Sequence, residues 1–175
     1  NHEALTAGFQ GLPPEVALAI KNTPHDYYPT FPDNPLTAGV TGRDKWIEFD
    51  AMGQYFGWGI APAAMLADLR GRMSRARAAG ASGIILRTDW ESLDGHTAFD
   101  TPNILNLYAG AALAESLATP DSVVYRRWLD EAGAFAPASD GGARARAAEA
   151  VAGIFERTWD VVRGALFVQG CVFND

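Results

Sequence analysis

Charged and aromatic residues follow each of three short apolar runs in this sequence. The groups are Lys21, Asn22, His25 and Asp26 after the first run, Glu48, Asp50, Gln54 and Tyr55 on and after the second, and Arg87, Asp89, Trp90, Glu91 and His96 after the third. A carboxylate can activate water, cations and amides bind hydroxyl groups, and aromatic faces stack on sugar rings. These residue types predict a carbohydrate site with Asp26 and Glu48 as catalytic candidates.

The remaining candidates are substrate-binding residues that belong to the same three groups. They are Lys21, Asn22, Gln54, Tyr55, Arg87, Trp90 and His96. Each also has a structural interpretation that the residue types leave open. Asp26 can cap a turn, and Glu48 can be a buried acid paired with Lys21 or Arg87. Trp90 can be a packing residue of the core or rim, and His96 a hydrogen-bonded loop residue.

The three apolar runs predict buried parallel strands. They cover residues 16–20, 46–49 and 82–86, and a strongly periodic helix is predicted over 61–79 between the second and third. In the second run Glu48 alternates with Ile47 and Phe49, so it should point to the opposite face. Because strands alternate with helices, the fold class is α/β, and the strand ends should meet at one edge of the sheet.

Other segments are predicted from their breakers and periodicity. Residues 1–14 and 22–45 are rich in Gly or Pro and predict loops, and the aromatic residues Tyr27, Tyr28 and Phe31 indicate that the second loop is packed and functional. Further helices are predicted over 102–118, 121–133 and 143–166, with a linker at 134–142. The arginines between 70 and 77 are expected on a solvated helix face.

Bulk properties exclude several kinds of protein. The net charge of -7 disfavours nucleic acid and anionic membranes as partners. No apolar run is long enough to span a bilayer, and the single cysteine with three scattered histidines predicts no metal site. We predict no cofactor, and the sequence does not indicate a cellular location.

Several motifs resemble glycoside hydrolase family 67, the α-glucuronidases, over roughly residues 16–130. The stretch 20–26 resembles the family's "KNGPxDF" segment, residues 32–36 its "EPxxPL" segment, residues 47–49 its "LEFQ" strand and residues 54–57 its "QEYxG" turn. Residues 82–84 and 95–96 resemble its last barrel strand and "NWTGH" segment, and 106–109 and 128–129 the helices that follow.

This resemblance implies the last three strands of a (β/α)8 barrel over residues 1–118 and a helical C-terminal region over 119–175. It also implies inverting hydrolysis of uronic acid side chains, with Lys21 on the substrate carboxylate and Asp26 holding the attacking water. The general acid would lie on an earlier strand, upstream of Asn1, and both ends of the chain are expected to be truncated. A homodimer through the C-terminal helices is a further expectation.

The chain departs from the family at a central position. Gln54 stands where the "QEY" motif has glutamate, and glutamine cannot act as a general base. Two functions therefore remain open. The first is a fragment of a hydrolase acting on plant-type polysaccharide or oligosaccharide, with Asp26 as base and the isolated chain inactive, and the second is a degenerate barrel that binds carbohydrate without turnover.

Overall fold

The computed structural model describes residues 2–57, 59–89, 97–134, 140–168 and 171–172. Seven α-helices occur in this part of the chain. They are α1 (His2–Gln10), α2 (Leu36–Gly39), α3 (Leu66–Ala78), α4 (Ile104–Glu115), α5 (Asp121–Glu131), α6 (Gly141–Phe155) and α7 (Thr158–Ala165), with a 3-10 turn at Ala98–Asp100 before α4.

The central sheet has three parallel strands in sequence order. They are β1 (Leu18–Lys21), β2 (Lys45–Asp50) and β3 (Gly83–Arg87), with Lys21 opposite Glu48 and Asp50 opposite Arg87. A separate antiparallel pair joins β4 (Phe167–Val168) to β5 (Cys171–Val172). The predicted α/β class and the parallel sheet are confirmed.

The two faces of the sheet differ in their environment. Leu18, Ile20, Ile47 and Phe49 are buried on the face that packs against the helices. The opposite face carries Glu48 and the half-exposed Trp46. Glu48 therefore points away from Ile47 and Phe49, as the alternation along β2 predicts.

The helix layer lies close against the sheet at α4. A Cβ on Gly110 would lie 2.5 Å from a terminal methyl of Leu86, so glycine permits the close approach of α4 to β3. The apolar core continues from the sheet into the later helices. It includes Trp128, Ala148 and Val162.

Several predicted elements differ from those observed. The segment predicted as a loop at 1–14 contains α1, because its strongest breakers, Gly11, Pro13 and Pro14, all follow the helix and only Gly8 lies inside it. The long loop at 22–45 contains α2, a single turn. The helix predicted over 61–79 begins only at Leu66, and the last predicted helix is two helices, α6 and α7.

The arginines of α3 are a further correction. Arg72 is 7% exposed, and its guanidinium lies 3.0 Å from Asp33 and 2.9 Å from Asp68. Arg70 pairs with Asp121, and this pairing ties α3 to the start of α5. These residues connect segments distant in the chain, so the expected solvated face is wrong for both.

No helix in the described ranges is long and apolar enough to cross a membrane.

Candidate functional site

Asp26 lies just beyond the carboxyl end of β1, where several groups converge on its carboxylate. The Nζ atom of Lys21 lies 3.6 Å from Oδ1, and the backbone N–H of Tyr27 donates to Oδ1 at 3.2 Å. The hydroxyl of Tyr55 donates to Oδ2. Asp26 and Lys21 remain 34% and 42% exposed, so a ligand can reach this group.

Glu48 has a partner that the sequence did not indicate. The hydroxyl of Tyr27 donates to its carboxylate, and Tyr27 is 5% exposed. Burial and the Glu48 carboxylate both raise the pKa of Tyr27 above its ordinary value. The phenol therefore stays protonated and can donate throughout the neutral range.

Two cations flank the ring of the same tyrosine. The Nζ atom of Lys21 lies 5.0 Å and the guanidinium carbon of Arg87 lies 5.5 Å from its centroid, both within the range of cation–π attraction. Arg87 also donates to the side-chain oxygen of Gln54 at 2.6 Å. Residues from the ends of all three strands thus meet around Tyr27.

Asp50 shapes the turn that carries Gln54 and Tyr55. Its two carboxylate oxygens accept from the backbone N–H groups of Met52 at 3.1 Å, Gly53 at 3.3 Å and Gln54 at 2.7 Å. Burial raises the pKa of Asp50 to about 6, although these bonds and Arg87 oppose the shift. Asp50 is 7% exposed, so its role is to hold the turn and not to meet a ligand.

Two buried asparagines of the α4 region fix the segment after that turn. Asn103 donates to the carbonyls of Met52 at 2.7 Å and Gly59 at 3.1 Å and accepts from the N–H of Ala63 at 2.8 Å. Asn106 donates to the carbonyl of Ala63 at 2.9 Å. No strand or helix occurs in residues 51–57 or 59–65, so these side chains satisfy backbone groups that a sheet or helix would otherwise pair.

The loop after β1 is packed, as its aromatic residues predict. The ring of Tyr28 lies 4.1 Å from that of Tyr55 and 4.8 Å from that of Phe31, measured between centroids. Asn34 donates to the carbonyl of Lys21 at 3.1 Å and holds the loop against the strand end. Burial and hydrogen bonds to Asp26 and Tyr28 raise the pKa of Tyr55.

The structure brings together most of the residues predicted for the site. Lys21, Asp26, Glu48, Gln54, Tyr55 and Arg87 are linked by the contacts above. The carboxylate of Glu48 accepts a hydrogen bond from a tyrosine hydroxyl, whereas its interpretation as a buried structural acid named Lys21 or Arg87 as the partner.

Asn22 lies apart from this group. It is buried and, together with Phe49 and Arg72, lines a cavity of about 330 Å³ on the helix side of the sheet. As the residue after β1 it continues the face of Ile20, which is the face opposite to Lys21. Trp90 and His96 lie outside the described residues.

Three residues that form or support the site were not predicted from the sequence. Tyr27 was predicted to belong to a packed, functional loop but not to be a site residue, although its position beside Asp26 is a usable signal. Asn103 and Asn106 carry no local signal, because the backbone N–H groups that donate to their side chains lie forty and forty-one residues earlier in the chain. Among the described residues no group of His, Cys, Asp and Glu side chains is arranged to hold a metal ion.

No known family model and no curated protein matches the sequence of this chain.

Proposed function

We propose that Lys21, Asp26 and Tyr55 form the sugar-binding edge of a glycoside hydrolase site in which Asp26 is the general base. The observation that supports this most directly is the convergence of a cation and a phenol on one accessible carboxylate. A carboxylate offers about four acceptor positions, so Asp26 can hold a water molecule beside these partners.

The proposed reaction is an inverting hydrolysis of the kind that the family resemblance implies. Asp26 would take a proton from water while a general acid on another strand protonates the leaving oxygen. Lys21 and Arg87 would bind an anionic sugar, a uronic acid, through its carboxylate. We propose this for a protein that supplies the acid, and we expect no hydrolysis from the 175-residue chain alone.

We also propose that the sheet is part of a (β/α)8 barrel. Its strands are parallel and follow sequence order, and the face with Trp46 and Glu48 is not covered by the described helices. Parallel sheets usually have both faces covered, and in a barrel the uncovered face would be the packed interior. The accessible rim at the carboxyl ends would then be the usual place for a ligand.

The second candidate function is carbohydrate binding without turnover. Gln54 supports it, because this residue is 3% exposed, bonds to Arg87 and provides no second carboxylate beside Asp26. In a longer protein containing the general acid, the substitution Gln54→Glu distinguishes the two candidate functions. A gain in turnover favours a weakened enzyme, whereas intact sugar binding without any gain favours the binding protein.

Titration calorimetry of the 175-residue chain with D-glucuronate tests the binding half of the proposal. D-glucose is the matched neutral ligand. We expect Lys21→Met to weaken glucuronate binding about tenfold, since it removes a charge-assisted contact, and to leave glucose binding unchanged. Equal affinity of the wild type for both sugars, or no effect of the substitution, would contradict the proposed anionic ligand.

The catalytic half is tested in a longer protein that contains the general acid. We expect Asp26→Asn to abolish hydrolysis of aryl uronosides there while glucuronate binding persists. Unchanged hydrolysis would show that Asp26 is not the base.

We further propose that α6 and α7 form the contact of a homodimer. Ile154 is 66% and Val161 is 62% exposed, which is unusual for large aliphatic side chains. Light scattering should give twice the chain mass for the wild type and the single mass for Ile154→Ser/Val161→Ser. A monomeric wild type would rule this contact out.

A further inference from the structure

Tyr27 connects the charged residues of the site, although it was not predicted from the sequence to be a site residue. Its hydroxyl donates to Glu48 of β2, while its ring lies near Lys21 of β1 and Arg87 of β3. Tyr27 thus contacts one side chain from each strand of the sheet. Its own backbone N–H additionally donates to Asp26.

We propose that Tyr27 is the positioning residue of this site: its hydroxyl orients the Glu48 carboxylate and its ring holds the two cations where an anionic sugar meets them. The inference rests on the proposed carbohydrate site. It assigns to Tyr27 no contact with the reacting atoms, and it requires the hydroxyl and the ring to have separable effects.

The hydroxyl of Tyr27 can fix the orientation of the Glu48 carboxylate because both side chains are shielded from solvent. Glu48 is only partly exposed, and Tyr27 is almost fully buried. A strand side chain with a free carboxylate can adopt several rotamers, whereas a charge-assisted hydrogen bond from a fixed phenol selects one. Without the hydroxyl, the carboxylate is free to swing toward Lys21 or Arg87 and neutralise the cations that the ligand needs.

The ring acts on the cations. Lys21 and Arg87 come from the two outer strands of the sheet, with β2 between them. The electron-rich ring face attracts both without occupying a hydrogen-bond donor of either, so the donors that Lys21 does not direct at Asp26 and that Arg87 does not direct at Gln54 or the Asp89 carbonyl can meet a ligand. Both positive charges are thereby held within 5.5 Å of one ring centroid at the strand ends, and we expect them to bind the anionic group of the ligand there.

Three variants of the full chain separate these roles. Tyr27→Phe removes only the hydroxyl, Tyr27→Leu removes the ring as well, and Tyr125→Phe is the matched control because Tyr125 is 1% exposed in α5 and has no contact with the site. We expect Tyr27→Phe to weaken D-glucuronate binding about fivefold and Tyr27→Leu at least tenfold, with Tyr125→Phe unchanged. Glucuronate affinity that is the same in all three variants as in the wild type overturns the proposal.

A second measurement does not depend on any ligand. In protein labelled with [ζ-13C]tyrosine, the Tyr27 resonance is identified by its loss in Tyr27→Phe, and its position reports the hydrogen bond of the phenol. We expect it to shift in Glu48→Gln and to stay in place in Glu149→Gln, which changes an exposed acid of α6. An unshifted resonance in Glu48→Gln overturns the hydroxyl's role.

The two experiments distinguish the possible failures. If the wild type binds no glucuronate but the Tyr27 resonance responds to Glu48→Gln, the proposed ligand is wrong and the Tyr27–Glu48 arrangement stands. If the wild type binds glucuronate and both Tyr27→Phe and Tyr27→Leu bind it with the same affinity, the positioning role is wrong and the carbohydrate site stands.

Discussion

The substitution Asn103→Ala should destabilise the protein more than any surface change, because Asn103 holds the segment that carries Gln54 and Tyr55. The side chain is 1% exposed, accepts one hydrogen bond from Ala63 and donates within reach of three backbone carbonyls. Alanine removes all of these contacts, and no water can easily replace them in a site this closed.

The magnitude follows from the number of full hydrogen bonds that are lost. The amide has one acceptor and two protons in these contacts, so three bonds disappear. At about 1 to 1.5 kcal/mol for each bond, the free energy of unfolding should fall by about 4 kcal/mol. This is a large part of the roughly 5 to 15 kcal/mol by which domains are usually stable.

Urea denaturation followed by tryptophan fluorescence measures this loss. With a slope of about 2 kcal/mol per molar urea, the midpoint should fall by about 2 M. Asn103→Leu, which keeps the volume and removes the hydrogen bonds, should lose nearly as much, whereas Ser74→Ala on the exposed face of α3 should change the free energy by less than about 0.5 kcal/mol.

Hydrogen exchange adds a local test of the same idea. Amides of segment 51–65 should lose protection in Asn103→Ala before those of β2, because the segment depends on side-chain bonds and the strand on its ladder. A loss below about 1 kcal/mol would refute the reasoning. So would an Asn103→Leu variant as stable as the wild type.

Two further buried groups and one pH dependence provide additional predictions. Because the pKa of folded Asp50 is raised to about 6 from 3.8, the folded state binds its proton more tightly, and the free energy of unfolding should fall by about 2.5 kcal/mol as pH rises from 4 to 7. In Asp50→Asn this pH-dependent fall should be absent, which urea midpoints measured between pH 4 and 7 would show. Arg72→Met leaves Asp33 and Asp68 without their buried partner and should cost about 3 kcal/mol by the same assay. Lys45→Met removes the ammonium that donates to two carbonyls around the end of α2, both at 2.5 Å, and should lower the midpoint by about 1 M urea, equivalent to about 2 kcal/mol.

The sequence by itself determined those features that depend on local periodicity. Alternation along 46–49 predicted both β2 and the face of Glu48, and the spacing of apolar residues predicted the core of α3. The clustering of charges after apolar runs predicted which residues would meet, since parallel strands end at the same edge. These features can be predicted from the sequence because each depends on residues that are close together in the chain.

Only the tertiary structure decided how the site is held. Tyr27 and Glu48 are 21 positions apart, and Tyr55 reaches Asp26 across 29. Asn103 holds backbone groups 40 and 51 residues earlier in the chain. Arg72 is buried and not solvated, because the fold brings Asp33, 39 residues earlier, against it. A side chain's hydrogen-bonding capacity is known from its type, but its partner depends on which segments the fold brings within about 3 Å of it.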